Sequence, residues 1–251
     1  MSTPCALITR PAGQADGLLH ALAQRGWDTL HVPTLAIEPL PVTASMTQLA
    51  QDLDLYQTVI FVSANAARFG MNLFDQYWPQ WPVGIEWLAV GKATQAALTE
   101  FDITATAPEQ ADSEGLLALP QLQTGRVDGS KILIVRGEGG RETLAETLRE
   151  RGAKVTYLEL YKRAEVSNIA HWQQQLFSRP FDVITCTSGD ALKGLLQLWG
   201  EHTPPLTEKT LFVVSHRLAN YAATLGFTNI IQTNGATDEA IIAALEHWKQ
   251  P

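Results

Sequence analysis

Short apolar runs alternate with amphipathic stretches along the chain. Cys5-Ala6-Leu7-Ile8, Thr58-Val59-Ile60-Phe61-Val62, Leu88-Ala89-Val90, Ile132-Leu133-Ile134-Val135 and Phe212-Val213-Val214 are each of strand length. Between such runs, leucines recur at helical spacing: Leu18, Leu19 and Leu22 share one face, as do Leu144 and Leu148. Gly26 and Gly152 close those stretches, where a residue that tolerates positive φ ends a helix at least cost. Ser63 and Ser188 each follow a strand and precede a helical run, where a hydroxyl caps free backbone N–H groups. Strands alternating with helices predict parallel α/β architecture.

The pattern also repeats. Leu7-Ile8-Thr9-Arg10 matches Leu133-Ile134-Val135-Arg136, and Gly13, Leu18, Leu22 and Arg25-Gly26 match Gly139, Leu144, Leu148 and Arg151-Gly152, all 126 positions apart. Val59-Ile60-Phe61-Val62-Ser63 matches Ile184-Thr185-Cys186-Thr187-Ser188 at 125, and Leu88-Ala89-Val90-Gly91 matches Phe212-Val213-Val214-Ser215 at 124. Ser113-Glu114-Gly115-Leu116-Leu117 matches Asp238-Glu239-Ala240-Ile241-Ile242, again at 125. Separate segments recurring in one order at nearly one offset point to duplication of a unit of roughly 125 residues. The simple arrangement is two consecutive domains meeting near Gly125–Ser130. In the alternative, the first strand–helix–strand of each copy completes the other copy's sheet. Residues Pro33 to Pro41, with three prolines, and Leu158 to Val166 interrupt the rhythm and read as linkers. They fall after that first unit in each copy, which leans toward the exchange.

Composition narrows the classes. With 251 residues, 45% hydrophobic and 18% charged, the chain can bury a sizeable core as one large domain or two modest ones. Lys and Arg number 18 against 26 Asp and Glu, a formal charge of −8, which argues against a sequence-wide attraction to nucleic acid or an anionic membrane. No apolar run is long enough for a membrane-spanning helix. Met1-Ser2-Thr3-Pro4-Cys5 lacks a basic region followed by an apolar run, so the expected location is the cytoplasm. Cys5 and Cys186 lie inside apolar runs and read as buried, reduced thiols.

The familiar chemical motifs are missing. The turn Arg136-Gly137-Glu138-Gly139-Gly140-Arg141-Glu142 carries Glu142 where a G-x-G-x-x-G series needs its last glycine, and no G-x-x-x-x-G-K-[ST] occurs. Its glycines either permit a tight strand-to-helix turn or contact an anion. The six histidines show no metal-ligand spacing, and no G-x-S-x-G elbow is present. What remains is a set of small polar and cationic residues at strand ends: Arg10, Ser63, Gly91, Lys92, Thr94, Arg136, Gly137, Thr187, Ser188, Gly189, Ser215, His216 and Arg217. Ligands of open parallel sheets bind outside the carboxyl ends of the strands, among helix N-termini. Two such rims facing across a hinge would suit an anion with several carboxylates. The plain alternative is a helix cap for each hydroxyl and a salt bridge at the linker for Arg10 and Arg136.

Tyr161 stands beside the second linker. A phenol, with an ordinary pKa of about 10, donates a hydrogen bond or a proton without a metal. Nearby Lys162 and Arg163 would favour its ionised form if their charges lie close. The alternative is an amphipathic side chain plugging the linker. Trp78, Trp81 and Trp87, near Pro79 and Pro82, read as local packing.

Taken together, Thr9-Arg10-Pro11-Ala12-Gly13-Gln14, Phe61-Val62-Ser63-Ala64-Asn65-Ala66, Ala89-Val90-Gly91-Lys92-Ala93-Thr94 and Ser113-Glu114-Gly115-Leu116-Leu117 resemble the uroporphyrinogen-III synthase family. Ile132 to Gly140, then Arg151-Gly152-Ala153 and Tyr161-Lys162-Arg163, continue the resemblance over nearly the whole chain. It rests on joint order and spacing, since no one motif is highly specific. The resemblance implies two similar parallel-sheet α/β domains joined by a two-stranded linker, with the exchanged arrangement. Domain 1 would comprise 1–35 and 167–251, domain 2 would comprise 41–160, and 36–40 and 161–166 would be the linkers.

The implied reaction closes the linear tetrapyrrole hydroxymethylbilane to uroporphyrinogen III, with loss of water and inversion of the terminal D ring. Because that substrate also cyclises unaided to the wrong isomer, selectivity must come from proximity and orientation. The resemblance further implies a monomer that uses neither cofactor nor metal and binds neither nucleic acid nor membrane. Tyr161 is then the candidate to assist hydroxide departure, and the strand-end residues above are the candidate contacts of a polycarboxylate substrate. Ser215-His216-Arg217 departs from the Gly-Pro-Thr-type turn of the family. The competing classes are a non-catalytic two-lobed binding protein for a polycarboxylate and a nucleotide-dependent transferase.

Overall fold

The computed structural model describes residues 3–140, 142–202 and 205–249; Met1, Ser2 and the Arg141 of the glycine-rich turn lie outside them. In chain order the elements begin β1 (Cys5–Ile8), α1 (Asp16–Gln24), β2 (Asp28–His31), β3 (Ala36–Pro39), α2 (Ala44–Gln51), β4 (Thr58–Phe61) and α3 (Ala64–Phe74). They continue with β5 (Glu86–Ala89), α4 (Lys92–Thr99), α5 (Ser113–Ala118), α6 (Thr124–Val127), β6 (Lys131–Gly137), α7 (Thr143–Glu150) and β7 (Lys154–Ala164). The last are α8 (Ile169–Leu176), β8 (Val183–Cys186), α9 (Gly189–Trp199), β9 (Thr210–Val213), α10 (His216–Thr224), β10 (Ile230–Gln232) and α11 (Asp238–Lys249). No helix among the described residues is long and apolar enough to cross a membrane.

The strands form two five-stranded sheets, ordered β10-β9-β8-β1-β2 and β3-β7-β6-β4-β5. The first is parallel throughout, and so are the β7-β6-β4-β5 pairings of the second. The repeats exchange their first units. β1 of the first repeat pairs with β8 of the second, and β6 of the second repeat pairs with β4 of the first. The chain accordingly divides into Met1–Ile37 with Ala164–Pro251, and Glu38–Arg163. Where β10 extends the first sheet beside β9, the second sheet keeps only an isolated bridge from Leu88 to Thr106.

Alternation along each strand fills both faces of the first sheet. Leu7, Leu30, Ile184, Cys186, Leu211 and Val213 pack beneath α9 and α10, while Ala6, Ile8, Val183 and Phe212 meet Leu18 and Leu22 of α1 and Ile241 and Leu245 of α11. In the second sheet Ile60, Leu88, Ile132 and Ile134 meet Leu116 of α5 and Leu144 and Leu148 of α7. Each such fully buried aliphatic side chain contributes about 1.5–3 kcal/mol through removal from water. Gly26 and Gly152 do adopt positive φ, 70° and 92°.

The two linker segments are themselves strands. Residues 33–41 contain a strand, β3, which lies beside β7 in the second sheet. β7 also continues through Tyr161 to Ala164. It does so across a register slip: Arg136 faces Glu159, but Gly137 faces Tyr161, leaving Leu160 as the extra residue. A bulge of this kind re-aims the side chains that follow it.

Candidate functional site

The bulge brings Tyr161 onto the carboxyl end of the second sheet. A Cβ on Gly137 would lie 2.6 and 2.8 Å from two carbons of the Tyr161 ring, so only glycine leaves room for it there. Phe69 of α3 stacks on the ring, with centroids 5.4 Å apart and planes 20° from parallel. The phenol oxygen sits 2.7 Å from Ser63 Oγ. Ser63 caps α3 by accepting from the Ala66 N–H at 2.9 Å. Tyr161 is only 2% exposed, whereas Ser63 is half-buried. Lys162 and Arg163 are exposed, and Lys162 pairs with Glu38 at 3.3 Å.

Arg136, next along β6, is also buried. Its guanidinium donates to Glu142 Oε1 at 3.0 Å, to the Gly137 carbonyl at 3.3 Å and to the Gly139 carbonyl. It lies 4.5 Å above the centre of the Tyr157 ring and 3.6 Å from Glu159. Tyr157 in turn donates to the second oxygen of Glu142 at 2.6 Å. That bond, reinforced by Arg136, holds the Glu142 carboxyl below its usual range. Burial, and then the Glu142 carboxylate, push the Tyr157 phenol up to about 12. Gly140, at φ 109°, backs onto the guanidinium so closely that a Cβ would stand 2.7 Å from Nη2. Arg136 thus organises the glycine-rich turn from inside. Across the same rim Gly91 is buried against Ala111, Lys92 opens α4 exposed, and Thr94 is buried one turn farther in.

The first sheet arranges its rim differently. Arg10 donates to Asp238 at 2.5 Å and to the Ala236 carbonyl at 3.0 Å, fastening the start of α11. His31 Nε2 lies 2.9 Å from the Arg10 carbonyl. Ser188 caps α9 through the Ala191 N–H at 3.1 Å, and Ser215 caps α10 through the Leu218 N–H at 3.2 Å. Thr187 and Gly189 flank the first cap half-buried, while His216 and Arg217 form the exposed first turn of α10. Among the described residues Lys92 and Arg217 make no ion pair and are exposed, so they are open to a ligand.

The strand-end residues therefore all lie at sheet rims, but in two groups. Arg10, Ser63, Lys92, Thr187, Ser188, Gly189, Ser215, His216 and Arg217 reach solvent at least in part; Tyr161, Gly91, Thr94, Arg136 and Gly137 are buried. Arg10 and Arg136 hold protein carboxylates, the salt-bridge alternative considered for both. Phe69, Tyr157, Glu142 and Asp238 escape the sequence reading. Phe69 and Tyr157 look like ordinary apolar-face residues, and nothing local ties Glu142 or Asp238 to an arginine. Cys5 and Cys186 are buried and free, and burial pushes the Cys186 thiol up to about 11. Trp78 and Trp81 donate to the carbonyls of Ala50 and Phe101, and Trp87 stacks near Phe61, all local packing.

Comparison with known proteins bears on what these rims do. The family described as uroporphyrinogen-III synthase HemD matches residues 16–243. A uroporphyrinogen-III synthase of Salmonella typhimurium is 35% identical over 251 residues, covering 96% of this chain and 99% of the relative. One from Escherichia coli is 32% identical over 254 residues, with the same coverage. Among solved structures, uroporphyrinogen-III synthetase from Helicobacter pylori is similar in fold, with a TM-score of 0.62 at 13% identity, 98% of this chain and 100% of that one. A mutant uroporphyrinogen III synthase from the extremely thermophilic bacterium Thermus thermophilus gives 0.61 at 14% identity, 99% and 100%.

Proposed function

The chain belongs to the uroporphyrinogen-III synthase family, and we propose from that premise how its residues serve the reaction. It closes hydroxymethylbilane to uroporphyrinogen III, losing water and inverting the D ring, a step of tetrapyrrole biosynthesis. Loss of the hydroxyl leaves an electrophilic azafulvene at one end of the substrate. Attack by the substituted carbon of ring D gives a spiro intermediate, which fragments and recloses inverted. The protein's largest task is to hold one folded conformation of a flexible chain.

The observation that carries the assignment of roles is the setting of Tyr161: a phenol packed against Gly137 and Phe69, its hydroxyl on Ser63 at the rim. In this reading Tyr161 supplies the proton, or the hydrogen bond, that turns the departing hydroxide into water, help worth about 10²–10⁴-fold. Lys92, His216 and Arg217, with the hydroxyls of Thr187, Ser188 and Ser215, contact the carboxylates of the substrate; their exposure at helix N-termini supports this. Arg10, Gly91, Thr94, Arg136 and Gly137 support the rims from within. The enzyme acts as a monomer in the cytoplasm, on a small molecule that needs neither nucleic acid nor membrane. The two-lobed binding protein is not favoured, because the relatives named as enzymes align over 99% of their own length.

The test generates hydroxymethylbilane in situ, adds the protein, oxidises the products and separates type I from type III porphyrin isomers. Predominantly type III is expected. Type I at the no-enzyme level, from a folded sample, would reject the activity.

A further inference from the structure

We propose that Ser63 is the group that touches the departing hydroxyl, and that Tyr161 refills Ser63 with a proton from behind. The proposal rests on the reading of Tyr161 above and adds the route by which its proton travels. Tyr161 is 2% exposed, and its hydroxyl meets Ser63 Oγ at 2.7 Å. Ser63 is half-buried at the end of β4, where ligands of parallel sheets bind. Its oxygen already accepts from the Ala66 N–H at 2.9 Å. When it also accepts from the Tyr161 O–H, its own proton is the one left to donate outward. Both incoming bonds polarise that O–H, and the N-terminal end of α3 stabilises negative charge building on the oxygen.

The duplicated half shows that a helix cap does not need this tyrosine. Ser188 makes the same cap on α9, accepting from Ala191 N–H at 3.1 Å. Counting from the paired residues Ile8–His31 and Ile134–Tyr157, and allowing for the bulge, Thr34 holds the place of Tyr161. Its hydroxyl donates to the Ala191 carbonyl at 2.7 Å rather than to the serine. The place of Phe69 is taken by Gly194, against which the Thr34 carbonyl packs. Among the described residues the serine–phenol contact is confined to the second sheet.

In the step itself the C–O bond of the hydroxymethyl group breaks and its electron pair leaves with oxygen. The Ser63 proton passes to that oxygen to make water, and the Tyr161 proton passes to Ser63. The positive charge left on the substrate is delocalised over its first ring. After reclosure that charge is discharged as a ring proton, which returns to the phenolate through Ser63 and restores both residues.

The experiment compares Ser63→Asn, which keeps the cap but has no hydroxyl, with Tyr161→Phe, the double variant and Ser63→Thr, each checked for native circular dichroism and thermal midpoint. Both single variants should lose kcat by similar factors, about 10²-fold or more, with KM little changed. The double variant should lose no more than either, and Ser63→Thr should restore most of the rate. The wild type should give a curved proton inventory in mixed light and heavy water, as two protons in flight require. Tyr161→Phe slow with Ser63→Asn fast would overturn the relay while leaving the Tyr161 reading standing. Tyr161→Phe at full rate would overturn both, and factors that multiply in the double variant would overturn the relay.

Discussion

In the first sheet, Thr34 packs its carbonyl against Gly194 and donates its hydroxyl into α9. In the second, at the matching place, Tyr161 packs against Gly137 and Phe69 and turns its hydroxyl to Ser63. The surrounding frames agree closely: strand neighbours, serine caps and the arginine at or just past the end of each repeat's first strand all recur. What differs is one extra residue in β7, one aromatic for one glycine on the covering helix, and one phenol for one threonine. A duplicated sheet thus keeps its caps and core in both copies, while a bulge in one copy sets a phenol against the cap serine.

The sharpest way to break this contrast is to fill the space under the phenol. Gly137→Ala would place a methyl 2.6 Å from the ring, and it should cost kcat about 10²-fold or more, the same loss expected of Tyr161→Phe. A Gly137→Ala enzyme at the wild-type rate would show that the ring needs no such seat. Next in size, Arg136→Met removes the cation that holds the carbonyls of Gly137 and Gly139 together with Glu142. Loss of charge-assisted bonds at a buried site should cost about 2–3 kcal/mol, or roughly 5–10 °C in thermal midpoint. The matching Arg10→Met, at a more exposed arginine, should cost less; equal shifts would remove the distinction between the two rims.

In the first sheet, Gly194→Ala would bring a methyl to 2.1 Å from the Thr34 carbonyl. Overpacking there should lower stability by about 1–3 kcal/mol and leave kcat per folded molecule intact, measured by thermal melts beside active-fraction kinetics. A fall in kcat would mean that this half, too, carries chemistry. The smallest effect concerns Glu142, whose carboxyl is held low first by the Tyr157 hydroxyl. A lowered native pKa stabilises the fold above the unfolded value of about 4.3 and is lost as pH falls through the native value. Glu142→Gln should therefore flatten part of the acid limb of a stability-against-pH curve below about pH 4. An unchanged limb would show that the Tyr157–Glu142 bond is not felt in folding.

The repeat is readable because offsets near 125 preserve both apolar spacing and cap serines. The exchange of first units stays open at that level, since an offset says which segments are equivalent and not which sheet they join. The β1–β8 and β6–β4 pairings decide it. The strand ends themselves are legible, yet the exposure of the residues on them is hidden. For Arg10 and Arg136 a ligand contact and a salt bridge stay open until Asp238 and Glu142 are seen to hold them. The bulge at Leu160 leaves no mark in composition, because an inserted apolar residue in an apolar strand changes no pattern, and the burial of Tyr161 follows from it.

The exchanged sheets also set a schedule for the newborn chain. Glu38–Arg163 is continuous and can collapse as soon as its last strand is made. β1, by contrast, has β2 beside it early but finds its other neighbour, β8, only across bonds such as Thr9 to Thr185, spanning 176 positions. At ribosomal rates that interval lasts roughly 10–30 s, during which β1 has one edge unpaired and α1 lacks the helix α11 that it packs against. The leading segment must stay soluble while the middle of the protein completes itself. Substitutions that make β1 or α1 stickier should therefore lower the yield of folded enzyme during synthesis more than they lower the stability of the finished molecule.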